Sequence, residues 1–474
     1  MKLKIILLII ALGCAPLIAQ ENEITLDDAI KTALENNRQI EIAKMDVRKA
    51  DRKVSEAFGY ALPSVDVSAG FTHFLQKPKM SFPDFEAMLN NSTYGVLFKE
   101  DIIPYDPGKL MPLDFKLQTF VQANNFQTQA QVSQILFNSA VFQGIGASQI
   151  YLNLAKENLK RTIAKTALDV KNAFYGVLLT RDLYEIAQAR FTNANEHLKN
   201  IKAMLAQGLV SNFAEMQAEV QVENIRPILV QLKNANIDAT NGLKILLNIK
   251  QDEDISVIGK MEYKEEELPT IEELINEAKK SNLSLKTLKI KNQLDKEFAA
   301  IDRGGYWPTL VAFGNYTFAG TSENWDFQNY TSSTVGLNFS INLFQGGRTK
   351  HKVEQDMIVA EQTAEQIKSL SDATEMQVKS KYNDLLRVRQ QIEAMKSNVA
   401  LAERAYQIAE NRYKEGEGSQ LEVKDADVSL TNAKVNYTNA VHDYLVAKAA
   451  LYNLIGRIDK KYYDYVSEEL NDKE

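Results

Sequence analysis

The side chains most often used for catalysis and metal binding do not form a recognisable site in this sequence. The four histidines stand in no HxxxH or other metal-ligand spacing; they are His73, His197, His351 and His442. Gly144 and Gly146 lack the third glycine of a dinucleotide-binding loop, and neither a GxxxxGK(S/T) nor a GxSxG motif occurs. We therefore expect no enzyme activity, no cofactor and no metal site.

The single cysteine, Cys14, lies in a segment typical of export signals. The charged stretch Met1–Lys4 precedes an apolar run, Ile5–Leu12, that is too short to span a bilayer. Ordinary cleavage after Ala19 is the favoured interpretation and makes residues 1–19 a signal peptide. The alternative is lipidation of Cys14, because the residues before it resemble a lipobox with Ala11 in place of the usual leucine. Both interpretations predict export, and both exclude a disulfide.

Net charge and hydropathy narrow the class of protein further. The formal charge is -7, and removal of Lys2 and Lys4 with the signal makes it -9. This mild acidity, with no cluster of lysine and arginine, argues against a nucleic-acid partner. No stretch after the signal reaches the roughly 18 apolar residues of a transmembrane helix.

Repeated motifs indicate an internal duplication. Thr25–Ile30 recurs as Thr270–Ile275, and this offset of 245 holds without gaps as far as Pro63 and Pro308. Further matches at an offset of 208 are Gly208 with Gly416, Ser211 with Ser419, Ala218 with Ala426, and Leu246 with Leu454. We therefore divide the chain into a first repeat, 20–248, a linker, 249–268, a second repeat, 269–456, and a C-terminal tail, 457–474.

Each repeat is predicted to contain an opening amphipathic helix, two strands, a very long helix, a turn with glycine, and a shorter helix. Thr25 with Asp28, and Thr270 with Glu273, fit a helix N-cap and its carboxylate partner three residues on. The strands are expected at about 63–75, 118–137, 308–319 and 332–344. The first half has extra residues, mainly Gln76–Lys116, whose proline and asparagine content predicts a long loop.

The strands alternate apolar and polar residues, as in Val65, Val67 and Phe71 on one face. Strands of about 10 residues with this period suit a transmembrane barrel, although a half-buried soluble sheet gives the same pattern. Aromatic residues flanking the strands, such as Tyr60 and Trp307, favour the membrane interpretation. Four strands cannot close a barrel, so we expect oligomerisation, and three copies would supply twelve strands.

The two long helical stretches, 147–206 and 349–414, are each on the order of 100 Å long if fully helical. Their alanine, asparagine, glutamine and serine content suits close helix packing around a wet tunnel. A soluble coiled-coil bundle is the alternative.

The chain resembles the TolC family of outer-membrane efflux proteins over essentially its full mature length, and four motifs that follow one another along the chain carry this resemblance. They are Thr25–Ile30 with Asn36-Asn37, the prolines Pro63 and Pro308 before the strands, Leu343–Arg348, and Arg412–Ala426. The resemblance implies a mixed α and transmembrane β fold. In it a homotrimer forms a 12-stranded barrel, with four strands per protomer, continued by a periplasmic α-helical barrel. It also implies a passive exit duct in the outer-membrane lipid for small molecules, with a periplasmic adaptor and an inner-membrane transporter as partners.

The resemblance also assigns candidate site residues. Those matching the adaptor-contacting helical turns are Gly208, Leu209, Ser211, Gly416, Gly418 and Ser419. Glu422 and Asp425 match acidic rings at the periplasmic gate, and their i, i+3 spacing puts both on one helix face. The simpler interpretations are ordinary helix caps and a solvated helix face. Gly418 stands where some members have an arginine that holds the gate shut.

Two alternatives remain open from the sequence. A duct for type I protein secretion or for metal efflux would share the same architecture. A non-transport periplasmic scaffold would use the helices without a membrane pore, but it does not explain strand pairs inserted at matching places in both repeats.

Overall fold

The computed structural model of the chain describes residues 22–457 and 462–464. The helices are α1 (Leu26–Asn36), α2 (Arg38–Gly59), α3 (Phe85–Lys99), α4 (Ser139–Ala206), α5 (Asn212–Leu247), α6 (Ile271–Ser281), α7 (Leu283–Arg303), α8 (Arg348–Lys414) and α9 (Gln420–Leu454). The strands are β1 (Asn22–Ile24), β2 (Ser64–His73), β3 (Met80–Pro83), β4 (Phe115–Gln118), β5 (Asn124–Asn138), β6 (Ile255–Val257), β7 (Thr309–Ser322) and β8 (Gln328–Ser340). The expected signal peptide with Cys14 lies outside the described residues.

The chain divides into two compact units. The helical unit comprises residues up to Val54, Ala147–Phe298, and residues from Gln355 onward. The sheet unit comprises Ser55–Gly146 and Ala299–Glu354. Among the described residues, no helix combines the length and the apolar content needed to cross a bilayer.

Capping boxes begin both opening helices, as predicted. The Thr25 hydroxyl oxygen accepts from the Asp28 N–H at 3.2 Å, while the Thr25 N–H donates to the Asp28 carboxylate at 3.3 Å. At α6 the Thr270 hydroxyl oxygen accepts from the Glu273 N–H at 3.3 Å, and the Thr270 N–H donates to the Glu273 carboxylate at 2.9 Å. These reciprocal bonds satisfy N–H groups that the first helical turn leaves without partners.

Each predicted opening helix is in fact two helices, because an asparagine ends the first and caps the second. The Asn37 side chain accepts from the Gln39 N–H at 2.9 Å and donates to the Leu246 carbonyl at 2.8 Å. Asn282 likewise accepts from the Leu285 N–H at 3.0 Å and donates to the Leu454 carbonyl at 2.8 Å. The expectation of one unbroken helix was wrong, since ψ is 126° at Asn37 and 122° at Asn282, which is outside the helical region and interrupts the helix.

Two large apolar clusters form the main cores of the helical unit, and a smaller one of Ala194, Val222 and Ile225 packs α4 against α5. The first packs α1 and α2 against α4 and α5, with Ile30, Ile163 and Leu243 fully buried. The second packs α6 against α8 and α9, with Leu385 and Leu451 fully buried. Burial of such side chains contributes roughly 1.5–3 kcal/mol each.

The main sheet of the other unit has four antiparallel strands in the order β2-β5-β7-β8. Strands β2 and β8 therefore form its two edges. β5, from the first half of the chain, pairs with β7, from the second half, over fourteen residue pairs interrupted by one irregularity after Ile135.

The stretch Gln76–Lys116 is more ordered than the predicted loop. The 15-residue helix α3 lies here between the paired antiparallel strands β3 and β4, the second of which continues to Gln118. Asp84 caps α3 by accepting from the Glu86 N–H at 3.1 Å. The Asn91 side chain exchanges two hydrogen bonds with the Met111 backbone, at 2.8 and 2.7 Å. These polar contacts hold a helix that has almost no amphipathic pattern.

Candidate functional site

The turns joining α4 to α5 and α8 to α9 have the same backbone geometry. After α4, Gly208 has φ +73°, its N–H bonds the Leu205 carbonyl at 2.9 Å, and the Leu209 N–H bonds the Met204 carbonyl at 3.0 Å. After α8, the N–H groups of Gly416 and Glu417 bond the carbonyls of Tyr413 and Arg412 at 3.1 and 2.9 Å. Both are Schellman C-caps, in which glycine adopts the left-handed conformation at little cost.

A serine begins the next helix in both turns. The hydroxyl oxygen of Ser211 accepts from the Ala214 N–H at 3.3 Å, and that of Ser419 accepts from the Glu422 N–H at 3.2 Å. The two helical hairpins meet here, because the Gln420 side chain donates to the Ala214 carbonyl at 3.4 Å. The simpler interpretation of these residues as helix caps is therefore confirmed.

Large apolar side chains are exposed around these turns. Leu209 is 65% exposed, and Phe213, Met216 and Leu421 are also exposed. An exposed apolar patch is typical of a surface that binds another protein.

Glu422 and Asp425 are both exposed in the first two turns of α9. Arg412, at the end of α8, lies with its Nη1 3.5 Å from the Glu422 carboxylate and donates from Nη2 to the Glu417 carbonyl at 3.1 Å. One of the two predicted gate carboxylates thus has a nearby cation, which the sequence analysis did not anticipate.

Gly418 has a structural reason to be glycine. A Cβ at this position would lie 3.2 Å from both the Arg412 Cβ and the Tyr413 nitrogen. The Gly418 N–H also bonds the Arg412 carbonyl at 3.1 Å. The close approach of the turn to the end of α8 therefore favours a residue without a side chain.

An ion pair between α4 and α9 lies deeper in the hairpins. The Arg190 Nε is 2.9 Å from the Asp427 Oδ2, and the two side chains are only 19% and 12% exposed. Burial raises the pKa of the Asp427 carboxyl, and the hydrogen bond and charge of Arg190 oppose that shift. No sequence pattern links these residues, which are 237 positions apart.

His197 lies beside this pair. Burial lowers the pKa of its imidazole, while the nearby charges of Glu410 and Asp427 oppose the shift. Its ring centroid is 5.3 Å from that of Tyr413. Burial thus favours the neutral imidazole, and its ring packs against that of Tyr413.

One face of the four-stranded sheet is polar. The register places Asp66, Gln131, Asn315 and Thr334 in one row across the strands, and Ser68, Gln129, Thr317 and Ser332 in the next. Neighbouring polar groups bond each other, as in the contact of 2.8 Å between the hydroxyls of Ser64 and Ser133.

The opposite face is largely apolar, and much of it is uncovered in the single chain. One row consists of Val65, Val132, Gly314 and Val335. Val67 is 72% and Val335 is 87% exposed, and Leu337 and Phe339 on the same edge strand are also exposed. These side chains do not pack into the chain's own core, as those of a soluble sheet would.

Phe313 breaks the polar pattern of β7 for a local reason. Its ring lies across Gly336 of the paired strand, so closely that a Cβ there would be 2.8 Å from the Phe313 Cζ. An aromatic ring covering a strand glycine protects the backbone that the missing side chain leaves open.

No cluster of three or more histidine, cysteine, aspartate or glutamate side chains is arranged to hold a metal ion within residues 22–457 and 462–464. The prominent features of these residues are instead the two turns after α4 and α8 (the tip turns) and the four-stranded sheet. One face of this sheet is polar, and the other is apolar and uncovered.

Long paired helices and such a sheet are the features of a channel-type membrane protein. The profile of the outer membrane efflux protein family matches residues 29–248 and 274–457, and the chain belongs to this family. Family membership and relatives of this kind place the protein in the outer membrane.

Sequence relatives include the outer membrane protein TolC of Salmonella enteritidis, 23% identical over 291 residues, and that of Escherichia coli, 22% identical over 294 residues. Each match covers 60% of this chain and 59% of the relative, so the chain spans about three-fifths of these proteins.

Solved structures share the fold across most of the chain. The outer membrane protein VceC of Vibrio cholerae is 15% identical, with a TM-score of 0.68 over 91% of this chain and 96% of its own. The CmeC outer membrane channel of Campylobacter jejuni is also 15% identical, with a TM-score of 0.71 over 94% and 89%. The predicted membership of the TolC family is confirmed.

Proposed function

We propose that the protein is a passive outer-membrane exit duct rather than an enzyme. Three copies close a 12-stranded barrel, with the apolar face of each sheet in lipid and the polar face toward a water-filled lumen. The observation that carries this proposal is the uncovered apolar face around Val67 and Val335, on a sheet whose edge strands β2 and β8 are available to neighbouring copies. An open sheet edge in hydrocarbon leaves backbone groups unsatisfied, so closure needs further copies.

The helices form the periplasmic continuation of the duct. α4 and α8, with 68 and 67 residues, are each about 100 Å long. The matched capping boxes and the matched asparagine bonds of Asn37 and Asn282 support an internal duplication into repeats 20–248 and 269–456. Two equivalent helical hairpins per protomer suit a tunnel built from three copies.

The tip turns dock to a periplasmic adaptor, which connects the duct to an inner-membrane transporter. The apolar exposure of Leu209 and Leu421 supports this role for the turns. The proposed contact residues are Gly208, Leu209, Ser211, Gly416, Gly418 and Ser419. Export of small molecules through such a tripartite assembly draws its energy from the transporter.

Glu422 and Asp425 form the gate at the periplasmic end. Three copies bring six carboxylates near one axis, where crowded negative charge attracts cations. Arg412 offsets part of the charge of Glu422, so Asp425 is the more effective member of the pair.

Reconstitution tests the duct itself. The protein purified in detergent is expected to have the mass of a trimer and to produce stepwise conductance in planar bilayers. A detergent-free, water-soluble monomer without conductance would instead support a periplasmic scaffold.

Charge substitution tests the gate separately. Glu422→Gln with Asp425→Asn is expected to lower cation over anion selectivity without abolishing conductance. A matched control, Glu393→Gln with Asp443→Asn, removes two exposed carboxylates from α8 and α9 away from the tip. If the two double variants have equal cation over anion selectivity, Glu422 and Asp425 do not form the gate, and the proposal of an exit duct is unaffected.

A further inference from the structure

A cavity of about 640 Å³ that is open to solvent lies in the helical unit. Its walls come from α4 and α8, the first residues of α2 and α7, and the last turn of α9. Cavities of roughly 300–1,000 Å³ are the usual size of small-molecule sites. It lies within one chain and is remote from the tip turns in sequence.

Positive charge predominates around this cavity. Arg161 and Lys165 lie one turn apart on α4 and Lys381 lies on α8; all three residues are exposed, and Asp169 is the only carboxylate in the lining. Arg161 and Lys381 make no ion pair with any residue of 22–457 or 462–464. Burial raises the pKa of Asp169, and the charge of Lys165 opposes that shift. The lining thus has three cationic side chains against one carboxylate, which itself lies close to Lys165.

The beginning of α7 adds to the positive potential. Leu283 and Ser284 line the cavity at the first turn of this 21-residue helix, which has no acidic residue there. The matching helix α2 has Glu41 in its first turn, and the offset of 245 puts Lys286 at that place in α7. The positive end of the helix dipole is therefore not neutralised by a carboxylate.

Thr166 adds a polar side chain to the wall of this cavity. Its side chain is buried, with 5% exposure, and it lines the cavity. Two other threonines of the lining donate to their own helices, Thr162 to the Asn158 carbonyl at 3.0 Å and Thr374 to the Leu370 carbonyl at 2.7 Å. The Thr166 hydroxyl is on the cavity wall, where a ligand can accept a hydrogen bond from it.

We propose that this cavity binds a small molecule bearing a carboxylate or phosphate group. Arg161 and Lys381 contact the anionic oxygens from opposite walls, and the Thr166 hydroxyl donates to one of them. Carboxylates and phosphates suit such a site because guanidinium and ammonium groups bond both. The inference concerns a single chain and does not depend on conductance, adaptor docking or the gate.

Isothermal titration calorimetry on the full chain in detergent tests the site, with citrate and inorganic phosphate as probes. At an ionic strength of about 0.01 M, charges interact over roughly 30 Å, so binding is strongest there and weakens with added salt. We expect saturable one-site binding of at least one anion. Binding of only one of them identifies the group that the site prefers, and the absence of saturable binding by both overturns the proposal.

Variants distinguish this cavity from the general surface. Arg161→Gln and Lys381→Gln are each expected to weaken binding at least tenfold, and the near-isosteric Thr166→Val at least threefold. Lys156→Gln on α4 and Lys396→Gln on α8 remove exposed cations outside the cavity and are expected to leave binding unchanged. Equal weakening by all four charge substitutions would overturn the proposal, since the anion would then bind the surface at large. Binding can fail while conductance is retained, so the two proposals fail separately.

Discussion

Replacing Arg190 by glutamine is expected to loosen the contact between α4 and α9. The Nε to Oδ2 distance of 2.9 Å and the low exposure of both side chains indicate a largely desolvated ion pair. Loss of one partner of a fully buried pair costs about 3–5 kcal/mol, whereas an exposed pair contributes about 0.2–1 kcal/mol. For this intermediate case we expect a loss of about 2 kcal/mol, since Arg190→Gln leaves Asp427 partly buried without its cation.

Hydrogen exchange of peptides from α4 and α9 around these residues measures the effect. A loss of about 2 kcal/mol corresponds to protection lowered roughly 30-fold when exchange follows the opening equilibrium. The double variant Arg190→Gln with Asp427→Asn is expected to recover at least half of the loss, because no unpaired charge remains.

A more exposed ion pair serves as the matched control. Lys279 and Glu375 join α6 to α8 at 2.7 Å, with side chains 42% and 32% exposed. Lys279→Gln is expected to cost about 0.5 kcal/mol. If Arg190→Gln changes protection no more than Lys279→Gln does, the reasoning from burial is wrong.

Three further predictions concern local structure. Gly456→Ala should lower the free energy of unfolding by more than Gly208→Ala, as measured by denaturant titration in detergent. Both glycines have positive φ, for which alanine costs about 1–2 kcal/mol. Only at Gly456 would the added methyl group also collide with the Ser281 carbonyl. Equal losses of unfolding free energy in the two variants would contradict this contact. Thr270→Val should cost about 1 kcal/mol by removing the helix cap, and an unchanged free energy of unfolding would show that the cap does not stabilise α6. Burial lowers the pKa of His197 below its ordinary value of 6.5. The neutral imidazole therefore stabilises the folded state fully above pH 6.5, and this contribution is lost as the pH falls through the lowered pKa. Hydrogen exchange around His197 should therefore accelerate on acidification, and less so in His197→Gln; the same acceleration in both would refute this cause.

The features predicted correctly from the sequence are those set by neighbouring residues. The capping boxes at Thr25 and Thr270 depend on partners three positions away, and the tip turns depend on a glycine followed by serine. Strand alternation likewise places Val67 and Ser68 on opposite faces without knowledge of the rest of the fold.

The features missed depend on contacts between distant parts of the chain. The local sequence predicts that Asn37 is a helix residue, because its side-chain bond to the Leu246 carbonyl joins residues 209 positions apart. Helix α3 has apolar residues all round, so no amphipathic period identifies it within the predicted loop. Arg190 with Asp427, and the cations around the cavity, become neighbours only when the two halves of the chain pack together.

Lipid contact on one face of the sheet is best tested by quenching of fluorophores at introduced cysteines. Single labels at Val67 and Val335 on the apolar face, and at Ser68 and Thr334 on the polar face, would be compared in vesicles containing brominated lipid. Labels at Val67 and Val335 are expected to be quenched by the lipid, and those at Ser68 and Thr334 by aqueous iodide. Quenching of all four labels by iodide, with none by lipid, would show that this sheet does not lie in a membrane.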